Sequence, residues 1–332
     1  MKIGLRSHNG VEDRLLYAQQ IGADGASIWG WAVPEYNVRG YLTTDDVRMM
    51  RRRFQKYDMA LTGIGLGGQV IKHQLLGTPE RDEDLDKVAH TVRAIGEAYA
   101  DKPEESPVII IDQRLTYWLN DSRYPHGRPG YHDQPNGRGG SSLLNFDYDP
   151  AKVKDTPMGK VGYAEAWARI AYFYEKIVPV AEEYKVRLAT HPDDPPLEHY
   201  WGVEHVLTGF DGLNKLLEAY PSPYNGLLFC IGTMQEAGED VAELIRYFGS
   251  RQKIFYVHFR NVTGVVPHYR EVFASEGDGN MIENFKALKA VGFKGFVVPD
   301  HHPGIIGDDD WQERSRAWHV GYLKGLIQAL GK

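Results

Sequence analysis

Four residues whose side chains can bind a transition metal each follow a short apolar run in the second half of the chain. They are His191 after Leu-Ala-Thr, Cys230 after Leu-Leu-Phe, His258 after Phe-Tyr-Val and Asp300 after Phe-Val-Val-Pro. Two imidazoles, a thiolate and a carboxylate are suited to Mn, Fe, Co or Zn and poorly suited to Ca²⁺. Ligands at the ends of successive strands converge only when those strands are parallel neighbours. The pattern therefore predicts a metal site at one edge of a parallel sheet.

Each of these residues also has an ordinary structural explanation. Cysteine is among the most buried residue types, so Cys230 could be a small core residue. His191 and Asp300 could occupy turns, and His258 could be a hydrogen-bonded histidine at a strand end. Four metal-competent residues at four consecutive strand ends are hard to arrange by accident, so we favour the metal site.

The elements that must position these residues follow a regular alternation. Eight short apolar segments bounded by turn residues predict strands, and helical patterns separate them. The predicted strands are Lys2–Arg6, Gly25–Trp29, Ala60–Ile64, Pro107–Asp112, Lys185–Thr190, Gly226–Cys230, Lys253–His258 and Lys294–Pro299. The predicted helices are Val11–Ile21, Thr44–Lys56, Asp82–Ala100, Tyr163–Tyr184, Gly209–Tyr220, Asp240–Phe248, Met281–Val291 and Trp311–Leu330. This order predicts an α/β fold, a (β/α)₈ TIM barrel, with the metal-competent residues at its carboxyl-terminal face.

Length, composition and charge narrow the class of protein. The 332 residues fit one barrel domain spanning the chain, which we expect to form a homo-oligomer and to act on a small molecule. A net charge of −7 without a basic run argues against nucleic acid and anionic membranes. We find no apolar stretch near the ~20 residues of a membrane helix, and Met1–Arg6 leads directly into a strand rather than a signal sequence. A single cysteine excludes an internal disulfide and suits the cytoplasm.

One long segment breaks the alternation. From residue 113 to residue 160 the sequence shows no convincing strand or helix but many Pro, Gly, Arg and aromatic residues. Loops of this length in compact domains are often lids or binding loops. Because it follows the fourth predicted strand, we expect it to cover the metal site as a lid.

Several motifs together resemble the mannonate dehydratase family of sugar-isomerase-like, or xylose-isomerase-like, barrels. The resemblance is specific over about residues 185–302. It is carried by His191-Pro-Asp-Asp-Pro-Pro196, Gly232-Thr-Met234, Asp240-Val241, Ile254-Phe-Tyr-Val-His-Phe-Arg-Asn-Val262 and Asp300-His301. It implies that His191, Cys230, His258 and Asp300 hold Mn²⁺, with Fe²⁺, Co²⁺ or Zn²⁺ as other candidates. It also implies that His301 transfers a proton while D-mannonate is dehydrated to 2-keto-3-deoxy-D-gluconate in hexuronate breakdown.

The sequence departs from the family in three places, one of which is a second histidine, His302, after Asp300-His301. The amino-terminal third diverges from the family. The family tyrosine that shortly follows the Asp-His pair is also missing, and the next tyrosine in the chain is Tyr322, in a predicted helix. These regions help to form the substrate pocket, so the identity of the sugar acid is left open.

Further residues at predicted strand ends are candidates for binding a sugar acid. Arg6 and Arg260 could pair with a substrate carboxylate, although either could instead form a salt bridge at the barrel rim. The candidates beside them are Asn261, next to Arg260, and the aromatic residues Trp29 and Trp118, which could wall the pocket or pack against helices.

Two other functions are considered. Related barrels include sugar isomerases and epimerases, but those enzymes usually bind metal without cysteine, which counts against this alternative. The missing tyrosine also allows a metal or sugar-acid binding protein that has lost catalysis. A 2-keto-3-deoxy product would distinguish a dehydratase from both.

Overall fold

The computed structural model describes residues 1–67, 70–111, 121–154, 156 and 159–331. Its strands are β1 (Lys2–His8), β2 (Gly25–Trp29), β3 (Ala60–Gly65), β4 (Val108–Ile111), β5 (Tyr131–Gln134), β6 (Leu143–Asp147), β7 (Leu188–Thr190), β8 (His199–Tyr200), β9 (Val203–Glu204), β10 (Asn225–Cys230), β11 (Ile254–His258), β12 (Asn261–Val265), β13 (His268–Val272) and β14 (Phe296–Val298). Eight of them close into a parallel barrel in the order β1-β14-β11-β10-β7-β4-β3-β2. The predicted barrel is confirmed, and each barrel strand overlaps its predicted segment.

The helices are α1 (Glu12–Ile21), α2 (Tyr36–Arg39), α3 (Thr44–Gln55), α4 (Lys72–Leu76), α5 (Arg81–Ala98), α6 (Tyr163–Glu183), α7 (Phe210–Ala219), α8 (Ile231–Glu236), α9 (Val241–Ser250), α10 (Met281–Ala290) and α11 (Glu313–Ala329). Eight of these correspond to the predicted helices, and the short helices α2, α4 and α8 are additional. Within the described ranges, no helix has the length and apolar character to cross a bilayer.

Local chemistry accounts for the helix starts near the barrel strands. Thr43 and Asp46 form a capping box at α3, in which the Thr43 side chain accepts from the Asp46 backbone and Asp46 accepts from the Thr43 backbone. Asp240 accepts from the backbone N–H of Glu243 at 3.0 Å and begins α9. These caps fix where two of the helices that surround the barrel begin.

Two apolar clusters support the barrel. The larger lies between the strands and the surrounding helices. The smaller takes side chains from β4, β7, β10, β11 and β14 and includes Ile110, Leu228, Tyr256 and Val298. This second cluster fixes the strands whose carboxyl ends carry the predicted ligands.

The segment from residue 113 to residue 160 contains regular structure that the sequence did not reveal. Strands β5 and β6 form an antiparallel sheet with the hairpin β12-β13, in the order β12-β13-β6-β5. Pairs such as Tyr269 with Phe146 set its register. The expectation of a segment without strands was wrong. These strands were hard to predict because their partners β12 and β13 lie more than a hundred residues away in sequence. Closure of this segment over the site stays a prediction.

Candidate active site

The barrel brings together the four residues predicted to bind metal. His191 follows β7, Cys230 ends β10, His258 ends β11, and Asp300 lies two residues after β14. All four are buried, and one ligand atom from each lies within 4.8 Å of the others. Cys230 and His258 are direct partners in the β10-β11 register. Parallel pairing therefore produces the convergence that the strand ends required.

The imidazoles are oriented by their surroundings. His191 Nδ1 donates to the backbone oxygen of Pro192 at 2.7 Å, which leaves Nε2 as the ring atom available to a metal ion. The rings of His191 and His258 have centroids 5.4 Å apart. His258 Nδ1 lies 3.4 Å from Asp300 Oδ2 and is buried with no hydrogen-bond partner among the described residues. A buried nitrogen left in this way is suited to binding a cation.

The surroundings of Cys230 favour the ionised, thiolate form of its side chain. Its sulfur accepts from the backbone N–H of Thr233 at 3.4 Å and caps the start of α8. Burial raises the pKa of the thiol, but the positive charge of Arg260 and the neighbouring His191 and His258 bring that pKa well below its usual range. Cys230 is therefore in the form that binds a transition metal.

Asp300 lies close to several charged side chains. Arg6 Nη1 donates to Asp300 Oδ1, while Arg260 Nε lies 3.5 Å and His301 Nε2 lies 3.6 Å from Oδ2. Burial raises the pKa of this carboxyl, but His258, His301 and Arg6 lower that pKa well below the usual range. Asp300 is therefore ionised and can act as an anionic ligand.

His301 is held by a residue that sequence analysis missed. Its Nδ1 donates to Glu271 on β13, with Oε1 at 2.7 Å and Oε2 at 2.8 Å. Burial lowers the pKa of His301, but the carboxylates of Asp300 and Glu271 raise that pKa to about 9. The His301 side chain is 35% exposed, whereas Glu271 is buried. The ring is thus held on one side by Glu271 and remains partly exposed.

Arg260 forms the centre of a buried ionic network. Its Nη2 donates to Asp194 Oδ2 at 2.7 Å and Thr233 Oγ1 at 3.0 Å. Its Nη1 contacts Glu236 and lies 3.2 Å from Glu271 Oε1. The Arg260 side chain is 1% exposed. Both Nη atoms are engaged by protein side chains, whereas Nε lies 3.5 Å from Asp300 Oδ2 and has no hydrogen-bond partner among the described residues. The pairing of Arg260 with a substrate carboxylate stays a prediction.

Burial raises the pKa of Glu236 well above its usual range, and Asp194 and Glu271 raise it further against the opposing effect of Arg260. This acidic cluster is absent from the sequence predictions because its acids come from three separate segments: the loop after β7, α8 and β13.

The other candidate substrate residues differ in their placement. Asn261 is buried, and its side chain is bonded to the backbone of Ala274, Gly279 and Val262. These contacts give Asn261 a structural role, and its predicted contact with substrate stays a prediction. Arg6 and Trp29 line a cavity at the barrel mouth together with the ligand His258. Trp118 lies outside the described residues.

A much larger cavity, of about 810 Å³, opens at the opposite end of the barrel. It is lined by residues at the amino ends of strands, such as Lys2, Ala60 and Val108, and it includes none of the four candidate ligands. Catalytic residues of TIM barrels lie at the carboxyl ends of the strands. We therefore place the active site at the metal-competent group, where the cavity is smaller.

A TIM barrel with a transition-metal ligand set at its strand ends and a carboxylate-held histidine beside it belongs to the class of metal-dependent barrel enzymes. Comparison with known proteins identifies the family. The model for D-mannonate dehydratase (UxuA) matches residues 154–332. The chain is 36% identical over 291 residues to a mannonate dehydratase of Thermotoga petrophila, covering 77% of this chain and 78% of the relative.

A second relative extends the match along the chain. Mannonate dehydratase 2 of Halalkalibacterium halodurans is 34% identical over 317 residues, covering 90% of this chain and 91% of the relative. The chain belongs to the mannonate dehydratase family and is an enzyme of the lyase class. This membership favours dehydration over the isomerase and binding-protein alternatives.

Solved structures support the fold. A mannonate dehydratase from Streptococcus suis serotype 2 superposes with a TM-score of 0.83 at 24% identity, covering 100% of this chain and 95% of that chain. A D-psicose 3-epimerase gives a TM-score of 0.63 at 13% identity, covering 98% of this chain and 99% of that chain. These similarities confirm the predicted xylose-isomerase-like barrel.

Proposed function

We propose that this protein is a Mn²⁺-dependent dehydratase that converts D-mannonate to 2-keto-3-deoxy-D-gluconate in the breakdown of hexuronates. The observation that carries this proposal is the convergence of His191, Cys230, His258 and Asp300 beside the accessible ring of His301. Family membership supports the reaction class. Because a thiolate ligand must stay reduced, we place the reaction in the cytoplasm.

The site fits a divalent transition metal. The donor set combines nitrogen, sulfur and oxygen, and the buried His258 Nδ1 lacks a hydrogen-bond partner among the described residues. These four side chains would hold the ion. A bound ion supplies electrostatic stabilisation of the negative charge that develops when a proton is lost next to the substrate carboxylate.

The charge of the site is matched to an anionic substrate. The thiolate of Cys230 and the carboxylate of Asp300 together balance the two charges of a divalent ion. Arg6 contacts Asp300 and lines the mouth, and Arg14 and Arg316 lie close enough to lower the pKa of the neighbouring His8. This concentration of cations attracts the carboxylate of a sugar acid. We therefore retain Arg6 as a candidate for that contact.

Dehydration of a 2,3-dihydroxy acid removes the proton from carbon 2 and the hydroxyl from carbon 3 as water, and the resulting enol becomes the 2-keto group. His301 is the proposed proton-transfer residue. Glu271 holds Nδ1, so Nε2 is the atom that exchanges a proton with the substrate. Tyr322 on α11 is the next tyrosine in the chain. Its ring packs against those of Trp318 and Phe259, so it does not replace the family tyrosine.

The test is a direct assay of the purified protein. The protein is stripped of metal, reloaded with Mn²⁺ and given D-mannonate, D-gluconate and a five-carbon aldonate, and the products are identified by NMR. We expect the 2-keto-3-deoxy acid from D-mannonate in the Mn²⁺ sample and no product in the stripped sample. An epimer of the substrate would indicate an epimerase, and the absence of turnover on every aldonate would contradict the proposal.

A further inference from the structure

The end of β1 carries a histidine that the proposed mechanism does not use. His8 is the last residue of β1 and lines the same mouth cavity as Arg6, Trp29 and the ligand His258. Within the described parts of the chain, its ring has no hydrogen-bond, ion-pair or ring-stacking partner. His8 thus presents a polar ring to the cavity beside the candidate ligand His258.

The backbone at His8 has an unusual conformation. Its φ is 65°, and the N–H of Asn9 donates to the oxygen of Ser7 at 2.8 Å across it. This is the geometry of a classic γ-turn, which is rare and strained for a residue with a side chain. The register of β1 against β2 also shifts between Arg6 and His8. Strained conformations of this kind cluster at functional sites.

The turn is held firmly by its neighbours. Ser7 is fully buried, its hydroxyl accepts from the N–H of Gly10 at 3.1 Å, and its carbonyl oxygen accepts from Arg14 Nη1 at 3.0 Å. The backbone that carries the imidazole is therefore held in place before a ligand arrives. Preorganised polar groups bind ligands at a lower entropic cost than mobile ones.

The chemical state of the ring indicates what it binds. Burial and the positive charges of Arg6, Arg316 and Arg14 lower the pKa of His8 to about 3, so the imidazole is neutral near pH 7. In a neutral imidazole one nitrogen donates a hydrogen bond and the other accepts one. A hydroxyl group can also donate and accept, so the two groups are complementary. A substrate carboxylate would be better served by the arginines beside it.

We propose that His8 binds a hydroxyl group of the sugar acid at the barrel mouth and so helps to select the substrate. This inference rests on the proposed function, because it takes the ligand to be a sugar acid. It assigns a specificity-determining role to a residue at the end of β1, in the amino-terminal third where the chain diverges from the family.

The test uses His8→Gly and His8→Asn in the full-length, Mn²⁺-loaded protein. Glycine adopts a φ of 65° without strain, so His8→Gly removes the ring without destabilising the turn. We expect kcat/KM for D-mannonate to fall roughly 5- to 50-fold in His8→Gly, with unchanged metal content and an unchanged or higher Tm. Asparagine tolerates this conformation and keeps a donor and an acceptor, so His8→Asn should recover part of the loss. His90→Ala, on an exposed face of α5, is the matched control and should behave as wild type.

Analogues of D-mannonate that lack the hydroxyl at carbon 4, 5 or 6 identify the contact. For the analogue without the bound hydroxyl, wild type and His8→Gly should have equal kcat/KM. Full activity of His8→Gly, or the same loss on all three analogues, would overturn the inference. If wild type turns over no aldonate, the proposed function fails, and calorimetric titration with D-mannonate then decides the role of His8. Weaker binding by His8→Gly would support it, and equal or undetectable binding by both proteins would refute it.

Discussion

Both carboxylate oxygens of Glu271 lie within hydrogen-bond distance of His301 Nδ1, at 2.7 and 2.8 Å. Glu271 belongs to β13, which is not a barrel strand, whereas His301 follows the barrel strand β14. The contact fixes the orientation of the imidazole, with Nδ1–H directed at Glu271 and Nε2 on the opposite side of the ring, 3.6 Å from Asp300 Oδ2. It couples the antiparallel sheet to the barrel at the point where chemistry is proposed.

We predict that Glu271→Gln lowers kcat by about 10- to 100-fold while the metal content stays the same, because an amide orients the imidazole less well than a carboxylate. Steady-state kinetics and elemental analysis measure both quantities. KM should change less than kcat, since Glu271 is buried and acts through His301. A kcat equal to that of wild type would remove Glu271 from the mechanism.

His301→Asn should lower kcat by about 10²–10⁴-fold, because asparagine cannot accept or deliver a proton near neutral pH. Metal content and the far-UV circular dichroism spectrum should stay as in wild type, because His301 is not one of the four grouped ligands. Near-full turnover of D-mannonate by this variant would assign the proton transfer to another group.

Removal of a ligand should remove the metal. We expect Cys230→Ser and His258→Ala to retain much less Mn²⁺ than wild type after dialysis, since each deletes one of four donors whose atoms lie within 4.8 Å of one another. Elemental analysis of the purified variants measures this, with His90→Ala as the control. Undiminished metal in both ligand variants would refute the assignment.

Arg260→Met should lower the free energy of unfolding by about 3–5 kcal/mol, because it leaves the buried acids Asp194, Glu236 and Glu271 without their cation. Urea unfolding followed by circular dichroism measures the change. The matched control is Arg246→Ala, which breaks the exposed pair with Glu283 and should cost only about 0–1 kcal/mol. Equal effects of the two substitutions would show that the buried network does not stabilise the fold.

Gly65→Ala should alter substrate affinity by displacing Trp29. A Cβ at position 65 would lie 2.7 Å from Cζ3 of the Trp29 indole, so the ring must move within the mouth cavity. We expect a higher KM for D-mannonate and a changed tryptophan fluorescence spectrum. Gly321→Ala is the control, because an added Cβ there meets no described atom within 4 Å in α11. That variant should keep the wild-type KM.

The sequence was sufficient to predict the barrel and the convergence of the metal-competent residues. Short apolar runs alternating with helical periodicity admit few arrangements other than a parallel barrel, and parallel pairing brings residues such as Cys230 and His258 side by side. The resemblance in the second half of the chain identified the family, which the comparisons confirm.

The sequence was insufficient where contacts join distant segments. Strand β6 pairs with β13 through residues such as Asn145 and Arg270, which are separated by more than a hundred positions. Arginine after a strand end suggests ligand binding, but whether Arg260 meets substrate or buried acids depends on the side chains that surround it. For the same reason Glu271 could not be paired with His301 before the hairpin was placed.

The separate origins of the two parts of the site have an evolutionary consequence. The barrel strands supply the ion-binding groups, whereas the hairpin β12-β13 supplies the carboxylate that orients His301. Replacement of that hairpin would remove the carboxylate from His301 while the four metal-competent residues stay at the ends of their barrel strands. A duplicated copy of this enzyme could therefore acquire a new chemistry through a short insertion or exchange of loop sequence, without rebuilding its metal centre.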